Sequence, residues 1–239
     1  MNKQSNTYTI IYIIVLVVVV GAALALAATS LKPLQTENAN ADKMRQILAA
    51  VHITADKSDV TGTFDKYITA QLVVDSEGKT LEGEKAFDVN VEKQSKEADP
   101  AKRLLPVYVC TLENGEVKYI LPVYGAGLWG PIWGYVSLDS DGNTVYGAFF
   151  AHQGETPGLG AEIEKPAFTD QFNSSLHMWH EGKFTPVEVV KAGQKPADPD
   201  ADYVDGISGG TITSKGVGAM INNCLAPYAA FLNSLSNSK

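Results

Sequence analysis

The segment VYVCTLENGEVKYILPV, residues 107–123, gives the clearest indication of the architecture of this chain. Residues 107–112 favour β-strands, and residues 117–123 supply a second run of the same kind. Between them, Asn114 and Gly115 form the dipeptide typical of a tight hairpin turn. Because the two strands of a hairpin pair antiparallel, this segment predicts an antiparallel sheet.

A second hairpin is predicted from residues 135–138 and 145–151, joined by the polar turn at residues 139–143. The sequence has no alternation of strands and helices and no G-x-G-x-x-G motif opening a helix after a strand. A Rossmann dinucleotide site is therefore not supported. We predict an α+β fold in which an antiparallel-sheet domain carries flanking helices.

The flanking segments give weaker patterns. Residues 64–91 predict strands interrupted by a turn at residues 75–78, and the charged residues 93–102 predict a solvated loop. Residues 167–180 have a pattern compatible with a helix, and residues 182–190 predict a strand.

The segment VDGISGGTITS, residues 204–214, precedes a run of apolar residues at helical spacing. That stripe consists of Val217, Met220, Ile221, Cys224 and Leu225. Thr213 or Ser214 is then the expected N-cap, and the helix is expected to kink or restart at Pro227. The two adjacent glycines and the helix N-terminus would suit an anion such as phosphate, although an ordinary turn and cap explains the same residues.

Two further glycine-rich segments contain side chains suited to a planar ligand. Residues 124–135 place Trp129 among glycines that let a ligand approach the backbone, although an aromatic-filled core loop has the same composition. Residues 154–160, GETPGLG, form an irregular loop in which Glu155 and Thr156 offer polar atoms beside Leu159. Glu155 is also compatible with a loop carboxylate that bonds backbone amides.

These three segments together resemble the flavin-binding domain shared by two bacterial redox complexes. One is the sodium-translocating NADH:quinone oxidoreductase, in its C-type subunit, and the other is the related Rnf complex, in its G-type subunit. The matching motifs are S-G-A-T-x-T, G-x-G-L-W and H-G-E-T-P-G-L-G. The chain has Gly210 where alanine is usual, and Gln153 where histidine is usual, with His152 one residue earlier. We expect His152 to be an exposed residue at a strand end, without a role in proton transfer.

The resemblance implies that Thr213 carries FMN through a phosphoester on an exposed hydroxyl. A separate flavin transferase that uses FAD and a divalent metal would attach the FMN, since no base is evident beside Thr213 in the sequence. The cofactor-binding residues implied are Ser208, Gly209, Gly210, Thr211, Thr213, Trp129, Glu155, Thr156, Leu159 and Gly160. No stand-alone catalytic residue and no metal ligand is expected.

The implied function is electron transfer by a membrane-anchored subunit within a sodium-pumping NADH:quinone oxidoreductase, with the other subunits as partners. Three alternatives remain compatible with the sequence. They are a G-type subunit of the Rnf complex, a membrane-tethered flavin-binding sensor, and a structural domain without a cofactor.

The N-terminal region contains an uncharged apolar run, residues 10–28, that would extend about 28 Å as a helix. It predicts a transmembrane helix at residues 10–29 after a tail at residues 1–9. A cleaved signal peptide is the alternative, because Lys3 and the small residues near Ala27 fit one. Positive charges lie on both sides of the run and do not fix its orientation. The resemblance implies the bacterial inner membrane, with the soluble domain in the periplasm.

Residues 30–55 are predicted to form a juxtamembrane linker and helix, followed by the FMN-binding domain at residues 56–239. The linker would begin with a polar connection at residues 31–38. An amphipathic stripe then follows at Met44, Ile47, Leu48 and Val51, although a simple stalk is also compatible with this composition.

Composition excludes several kinds of partner and cofactor. The 239 residues carry a formal net charge of −8 and no dense basic patch, which argues against nucleic acid. Cys110 and Cys224 form no Cys-x-x-Cys motif, so neither an iron–sulfur cluster nor a zinc ribbon is supported, while a disulfide between them stays open. The aspartates at residues 198–205 lack the glycine and terminal glutamate of an EF-hand loop, so we predict no calcium site.

Overall fold

A computed structural model describes residues 6–236, and the chain divides between Lys43 and Met44 into two compact units. The first unit is helical throughout its described residues, and the first five residues of the predicted tail lie outside them. The second contains a five-stranded antiparallel sheet with helices packed on it. The predicted α+β class is therefore confirmed.

Helix α1 extends from Asn6–Ala49 and includes an 18-residue window with a mean hydropathy of 3.1 and no buried side chain. By length and composition it is able to cross a membrane. The predicted polar connection at residues 31–38 is helical, because α1 continues through Pro33. A proline removes a single backbone donor, and the residues after it include good helix formers such as alanine, leucine and glutamine.

The end of α1 lies in the second unit and packs on the sheet. Gln46 Oε1 accepts a hydrogen bond of 3.0 Å from Trp133 Nε1. The predicted amphipathic stripe belongs to one hydrophobic cluster, with Met44 partly buried and Ile47, Leu48 and Val51 fully buried. This part of the chain is therefore a packed element and not a simple stalk.

The central sheet contains five antiparallel strands in chain order. They are β1 Ile68–Val74, β2 Leu105–Thr111, β3 Val117–Ala126, β4 Pro131–Asp139 and β5 Val145–His152. Both predicted hairpins are confirmed, β2 with β3 and β4 with β5. Gly115 and Gly142 in their turns have φ angles of 84° and 69°, which glycine adopts without steric cost.

Successive residues along the strands face two different hydrophobic clusters. Ile120 belongs to the cluster that contains the end of α1, and Leu121 belongs to the cluster on the opposite face.

Cys110 and Cys224 also lie in different clusters, and both are free thiols. Burial raises the pKa of both thiols, to about 11 for Cys110, so they behave as small buried side chains that stay protonated at neutral pH.

The helix predicted for residues 167–180 is wrong. Only α4, Pro166–Thr169, is helical, and the segment ends in the short strand β6, Trp179–His180. Phe172 packs against Phe150 of β5, with ring centroids 5.1 Å apart. Tertiary contacts with the sheet, which the local pattern does not reveal, fix this segment.

The strand predicted at residues 182–190 is divided in two. Strand β7, Lys183–Phe184, pairs with β6, and β8, Glu188–Val190, pairs in parallel with β9, Tyr203–Asp205. Pro186 lies between β7 and β8, and it has no N–H to donate to a strand ladder.

Within residues 64–91, the regular strand is β1. The start of this segment belongs to helix α2, Val60–Tyr67, so the prediction of strands here is correct only in part. Leu81 N–H bonds Val73 O at 2.8 Å beyond the turn, without extending into a second strand.

Residues 93–102, predicted as a loop, include the end of helix α3, Val91–Ser95, and a turn of 3₁₀ helix. Asn90 Oδ1 accepts a hydrogen bond from Lys93 N–H at 2.9 Å, and Asp99 Oδ1 accepts one from Ala101 N–H at 3.1 Å. These side chains cap the two short helices. The loop was predicted from the charge of the segment, which gives no information on this capping.

The C-terminal part consists of helix α5, Thr211–Leu225, a 3₁₀ turn at Ala226–Tyr228, and helix α6, Ala229–Ser236. The predicted interruption at Pro227 is confirmed. Tyr228 is buried in the 3₁₀ turn, and its hydroxyl donates to Pro106 O of β2 at 2.8 Å.

Tyr228→Phe would leave that buried carbonyl without its side-chain donor. We expect the free energy of unfolding to fall by about 1–2 kcal/mol, measured by denaturant unfolding of the full chain in detergent. Tyr203→Phe is the matched control, because Tyr203 is 42% exposed and its hydroxyl forms no hydrogen bond within residues 6–236. Equal losses in the two variants would contradict the assignment.

Candidate functional site

Thr213 is the third residue of α5, so the prediction that Thr213 or Ser214 caps this helix is wrong. The helix begins at Thr211, and Gly210 occupies the N-cap position. Ser214 N–H bonds Gly210 O at 2.9 Å, and Ser214 Oγ accepts a bond from Ile207 N–H at 2.8 Å. The first bond closes a helical turn that begins earlier than the hydroxyl pattern indicated, and the second ties the preceding turn to the helix.

The hydroxyl of Thr213 is buried, with 1% of the residue exposed, and is not exposed as expected. Its Oγ1 donates a hydrogen bond of 2.5 Å to Glu155 Oε2. Glu155 precedes Thr213 by 58 positions. No base lies near Thr213 along the sequence, as expected, but the fold brings the Glu155 carboxylate beside it. The two predicted motifs meet at this pair.

Glu155 also bonds the third glycine-rich segment. Its Oε1 accepts a hydrogen bond of 2.8 Å from Trp129 N–H, and its own N–H donates to His152 Nδ1 at 3.1 Å. Glu155 is buried, with 5% of the residue exposed. His152 is half-buried, contrary to expectation, because its ring accepts this bond at the end of β5.

Two glycines make room for the Glu155 carboxylate. A Cβ on Gly127 would lie 2.5 Å from Glu155 Oε1, and a Cβ on Gly160 would collide with Glu155 Oε2 and with Thr213 Oγ1. Any larger residue at either position would displace the carboxylate. The Glu155–Thr213 pair therefore requires glycine at position 160, because a side chain there would occupy its space.

A cavity of about 240 Å³ opens beside this pair. It brings together nine of the ten residues predicted to bind the cofactor, which are Trp129, Glu155, Thr156, Leu159, Gly160, Gly209, Gly210, Thr211 and Thr213. Leu128 and Ile212 also line it and were not predicted. Both are apolar residues adjacent to predicted site residues, which is the signal that could have identified them.

The rim of this cavity is unusually apolar. Four of the five large apolar side chains that are exposed in residues 44–236 line it, the fifth being Tyr203. Trp129 is 68% exposed and Ile212 is 59% exposed, with Leu128 at 47% and Leu159 at 43%. An apolar rim around a hydroxyl and a helix N-terminus suits a ligand with a flat apolar part and an anionic end.

Ser208, the tenth predicted residue, lies on the other side of the turn. It lines a second cavity, of about 280 Å³, together with Lys191, Lys195 and Lys215. Gly209 and Thr211 line both cavities, so the turn at residues 208–211 separates them. These lysines were not anticipated from the sequence, because all three lie outside the motif at residues 204–214.

Replacing Gly160 with alanine should separate Glu155 from Thr213. We expect Gly160→Ala to lower the free energy of unfolding by about 1–3 kcal/mol, because the new methyl group overpacks a buried site. Gly154→Ala is the control, since no atom lies within 4 Å of its added Cβ. Denaturant unfolding of both full-length variants measures the difference, and unchanged stability in Gly160→Ala would contradict the packing argument.

The two adjacent glycines of the motif should differ in their tolerance of alanine. Gly209 has a φ of 78°, so Gly209→Ala should cost about 1–2 kcal/mol of stability. Gly210 has a φ of −104°, and its added Cβ would lie 3.1 Å from Ile207 Cβ and 3.2 Å from the Leu159 carbonyl carbon, contacts that shifts of a few tenths of an ångström relieve. Thermal unfolding should therefore place Gly210→Ala close to the unmodified chain, and the reverse order would refute this backbone assignment.

Comparison with known proteins agrees with this geometry. Residues 127–226, which include both halves of the site, match the family model described as FMN-binding domain. The chain is 33% identical over 231 residues to the C-type subunit of the Na⁺-translocating NADH-quinone reductase of Vibrio alginolyticus, with 90% of this chain and 89% of the relative covered.

Two solved structures are also similar to this chain. The crystal structure of the corresponding C-type subunit from Parabacteroides distasonis has a TM-score of 0.77 and 45% identity, covering 84% of this chain and 96% of that one. The crystal structure of NqrC from Shewanella oneidensis has a TM-score of 0.68 and 25% identity, covering 84% of this chain and 100% of that one. With extensive similarity to these proteins in sequence and fold, and with a matching FMN-binding region, the chain belongs to the NqrC family of the Na⁺-translocating NADH-quinone reductase.

Proposed function

We propose that this chain is a membrane-anchored electron-transfer subunit that carries FMN through a phosphoester on Thr213. The observation that supports this most is the position of the Thr213 hydroxyl. Thr213 lies in the first turn of a 15-residue helix, and this residue lines a cavity whose rim collects most of the exposed large apolar side chains of residues 44–236. The hydroxyl would provide the linkage atom, the helix N-terminus would face the phosphate, and the apolar rim would contact the ring system of FMN.

The residues present fit the phosphate end of the group. The first N–H groups of a helix have no partner within the helix, and the helix dipole adds partial positive charge there. Thr211 and Thr213 of the first turn of α5 line the cavity. A phosphate at this point would meet backbone donors and hydroxyls, and no opposing aspartate or glutamate other than Glu155 lines the cavity within the described residues 6–236.

The apolar residues fit the flavin ring. Trp129, Leu159 and Thr156 would shield part of it from water. A cavity of about 240 Å³ would enclose only part of FMN, which leaves an edge open to a redox partner. Bound FMN would supply the redox chemistry, while the protein holds it in place and sets its electrostatic surroundings.

Assembly and maturation are part of the same proposal. The other subunits of the NADH:quinone oxidoreductase complex are the proposed electron-transfer partners, and the relatives named above, all C-type subunits, favour this complex over an Rnf complex. A separate flavin transferase, using FAD and a divalent metal ion, is the proposed source of the cofactor.

The membrane arrangement is part of the same proposal. Residues 10–29 of α1 would span the bacterial inner membrane once, after the tail at residues 1–9 and before the juxtamembrane segment at residues 30–55. Residues 56–239 would form the FMN-binding domain in the periplasm. The mean hydropathy of 3.1 in the most apolar window of α1 supports the spanning segment.

Thr213→Val tests the site of attachment. The full chain is produced together with a flavin transferase, and its intact mass is compared with flavin absorbance that survives denaturation and precipitation. We expect the unmodified chain to carry FMN on the peptide that contains Thr213, and Thr213→Val to carry none, because valine keeps the shape of threonine and lacks the hydroxyl oxygen that forms the proposed ester. Ser208→Ala is the matched control, since it removes a neighbouring hydroxyl of the same motif that lines the other cavity and should leave the attachment intact.

The same experiment separates the alternatives. Covalent flavin retained by Thr213→Val would refute the proposed linkage. Flavin lost on precipitation of the unmodified chain would indicate a non-covalent binding protein, and an unmodified chain without flavin would favour a structural domain. Copurification with Rnf subunits in place of quinone-reductase subunits would assign the chain to the other complex.

A further inference from the structure

We infer that Glu155 is the general base that accepts the proton of Thr213 when FMN is attached to it. This inference rests on the proposed function, since it concerns how the phosphoester forms. A threonine hydroxyl is a weak nucleophile until a neighbouring base activates it. A base must lie within hydrogen-bonding distance of the proton that it removes.

The geometry around Thr213 meets that requirement. Its Oγ1 donates to Glu155 Oε2 at 2.5 Å, and the two residues are only 1% and 5% exposed. Exclusion of water strengthens the interaction between a carboxylate and the hydroxyl that it accepts from. The proton of Thr213 is therefore already directed at a carboxylate oxygen before any donor of FMN arrives.

The carboxylate is fixed in this direction by its other bonds. Trp129 N–H donates to Oε1, and the backbone N–H of Glu155 is held by His152 Nδ1. Gly127 and Gly160 border the carboxylate so closely that neither position would accept a Cβ without displacing it. This arrangement is costly to build for a loop residue with no chemical role, because it buries a carboxylate between three segments.

The same bond explains which hydroxyl of the motif would be modified. Ser208, Thr211, Thr213 and Ser214 all lie within seven residues. Within residues 6–236, Thr213 is the one of these four whose hydroxyl donates to a carboxylate. Ser214 Oγ instead accepts a bond from Ile207 N–H. Glu155 thus selects Thr213 as well as activating it.

The step balances without a redox change. The transferase supplies FAD, and Thr213 Oγ1 forms a bond to the phosphorus of the FMN half. The bond between that phosphorus and the oxygen bridging to the AMP half breaks, and its electron pair leaves with AMP. The hydroxyl proton passes to Glu155 Oε2, and solvent later removes it.

Access to Thr213 requires a local movement at the end of the loop. Gly160 covers the hydroxyl, since a Cβ there would meet Oγ1, and the preceding Leu159 is 43% exposed. Glu155 lies at the opposite end of the loop and is tied to β5 and to Trp129. Displacement of Leu159 and Gly160 would therefore open the hydroxyl while the carboxylate stays in position.

The test is the rate of FMN transfer from FAD to the full chain in detergent, with purified flavin transferase and Mg²⁺, followed by intact mass and by peptide mapping. Glu155→Gln should slow the transfer by about 100-fold or more, the usual contribution of a general base. Glu162→Gln is the matched control and should react at the rate of the unmodified chain. It removes a carboxylate from the same region, where Glu162 Oε1 accepts a bond from Gly158 N–H, without touching Thr213.

A second readout separates a base from a residue that merely positions the loop. Formate should restore much of the rate to Glu155→Ala, because a small carboxylate fits the space vacated beside Thr213, and it should not accelerate the unmodified chain. Circular dichroism checks that the variants fold. If either variant fails to fold, Glu155→Asp replaces it. FMN transfer to Glu155→Asp should be slower, because its carboxylate is one methylene further from Thr213.

The outcomes distinguish this inference from the function on which it rests. If the unmodified chain and Glu162→Gln acquire FMN on Thr213 while folded Glu155→Gln or Glu155→Asp acquires it equally fast, the base is not Glu155 and the phosphoester proposal stands. Failure of formate to accelerate folded Glu155→Ala would assign Glu155 a positioning role and overturn its role as the base. If the unmodified chain acquires no FMN, the proposed function itself fails.

Discussion

A buried carboxyl group joins the three parts of the candidate site. Glu155 accepts hydrogen bonds from Thr213 and from the backbone of Trp129, and its own N–H is held by His152. Removing a carboxylate from water costs several kcal/mol unless hydrogen bonds replace its hydration, so these bonds are what make its burial possible. The same hydrogen bonds hold together segments that lie far apart in the sequence. The cavity, its apolar rim and the direction of the Thr213 hydroxyl all depend on this arrangement.

The sheet and the last long helix place those segments within reach of one another. A Cβ on Gly125 would lie 2.7 Å from Met220 Cβ, and a Cβ on Gly216 would collide with Ala126 O. Glycines on both surfaces therefore let α5 approach the end of β3 closely. Thr213 lies about one helical turn before Gly216, which brings it beside the residues that follow β3. The helix dipole is consequently directed at the same place as the carboxylate.

The parts predicted correctly from the sequence are those encoded locally. The β2–β3 hairpin follows from Asn114 and Gly115 between two β-favouring runs, and the interruption before α6 follows from Pro227. Residues 167–180 were mispredicted because Phe172 packs on Phe150 of the sheet, a contact that has no helical or strand period. The residues of the site were predicted from motifs. Their pairing was not, because a hydrogen bond between residues 58 positions apart leaves no trace in local spacing.

The long separation between Glu155 and Thr213 also bears on when the cofactor could be attached. In an unfolded chain the hydroxyl of Thr213 has no carboxylate beside it, and it differs little from that of Thr211. Folding brings Glu155 to one hydroxyl and at the same time covers that hydroxyl with Gly160. Under the role inferred for Glu155, the transferase acts on a folded domain and displaces Leu159 and Gly160 locally. The loop at residues 154–160 can hold Glu155 in place and still uncover Thr213, because its two ends differ. Glu155 ties one end, and the other end consists of the exposed Leu159 and of Gly160.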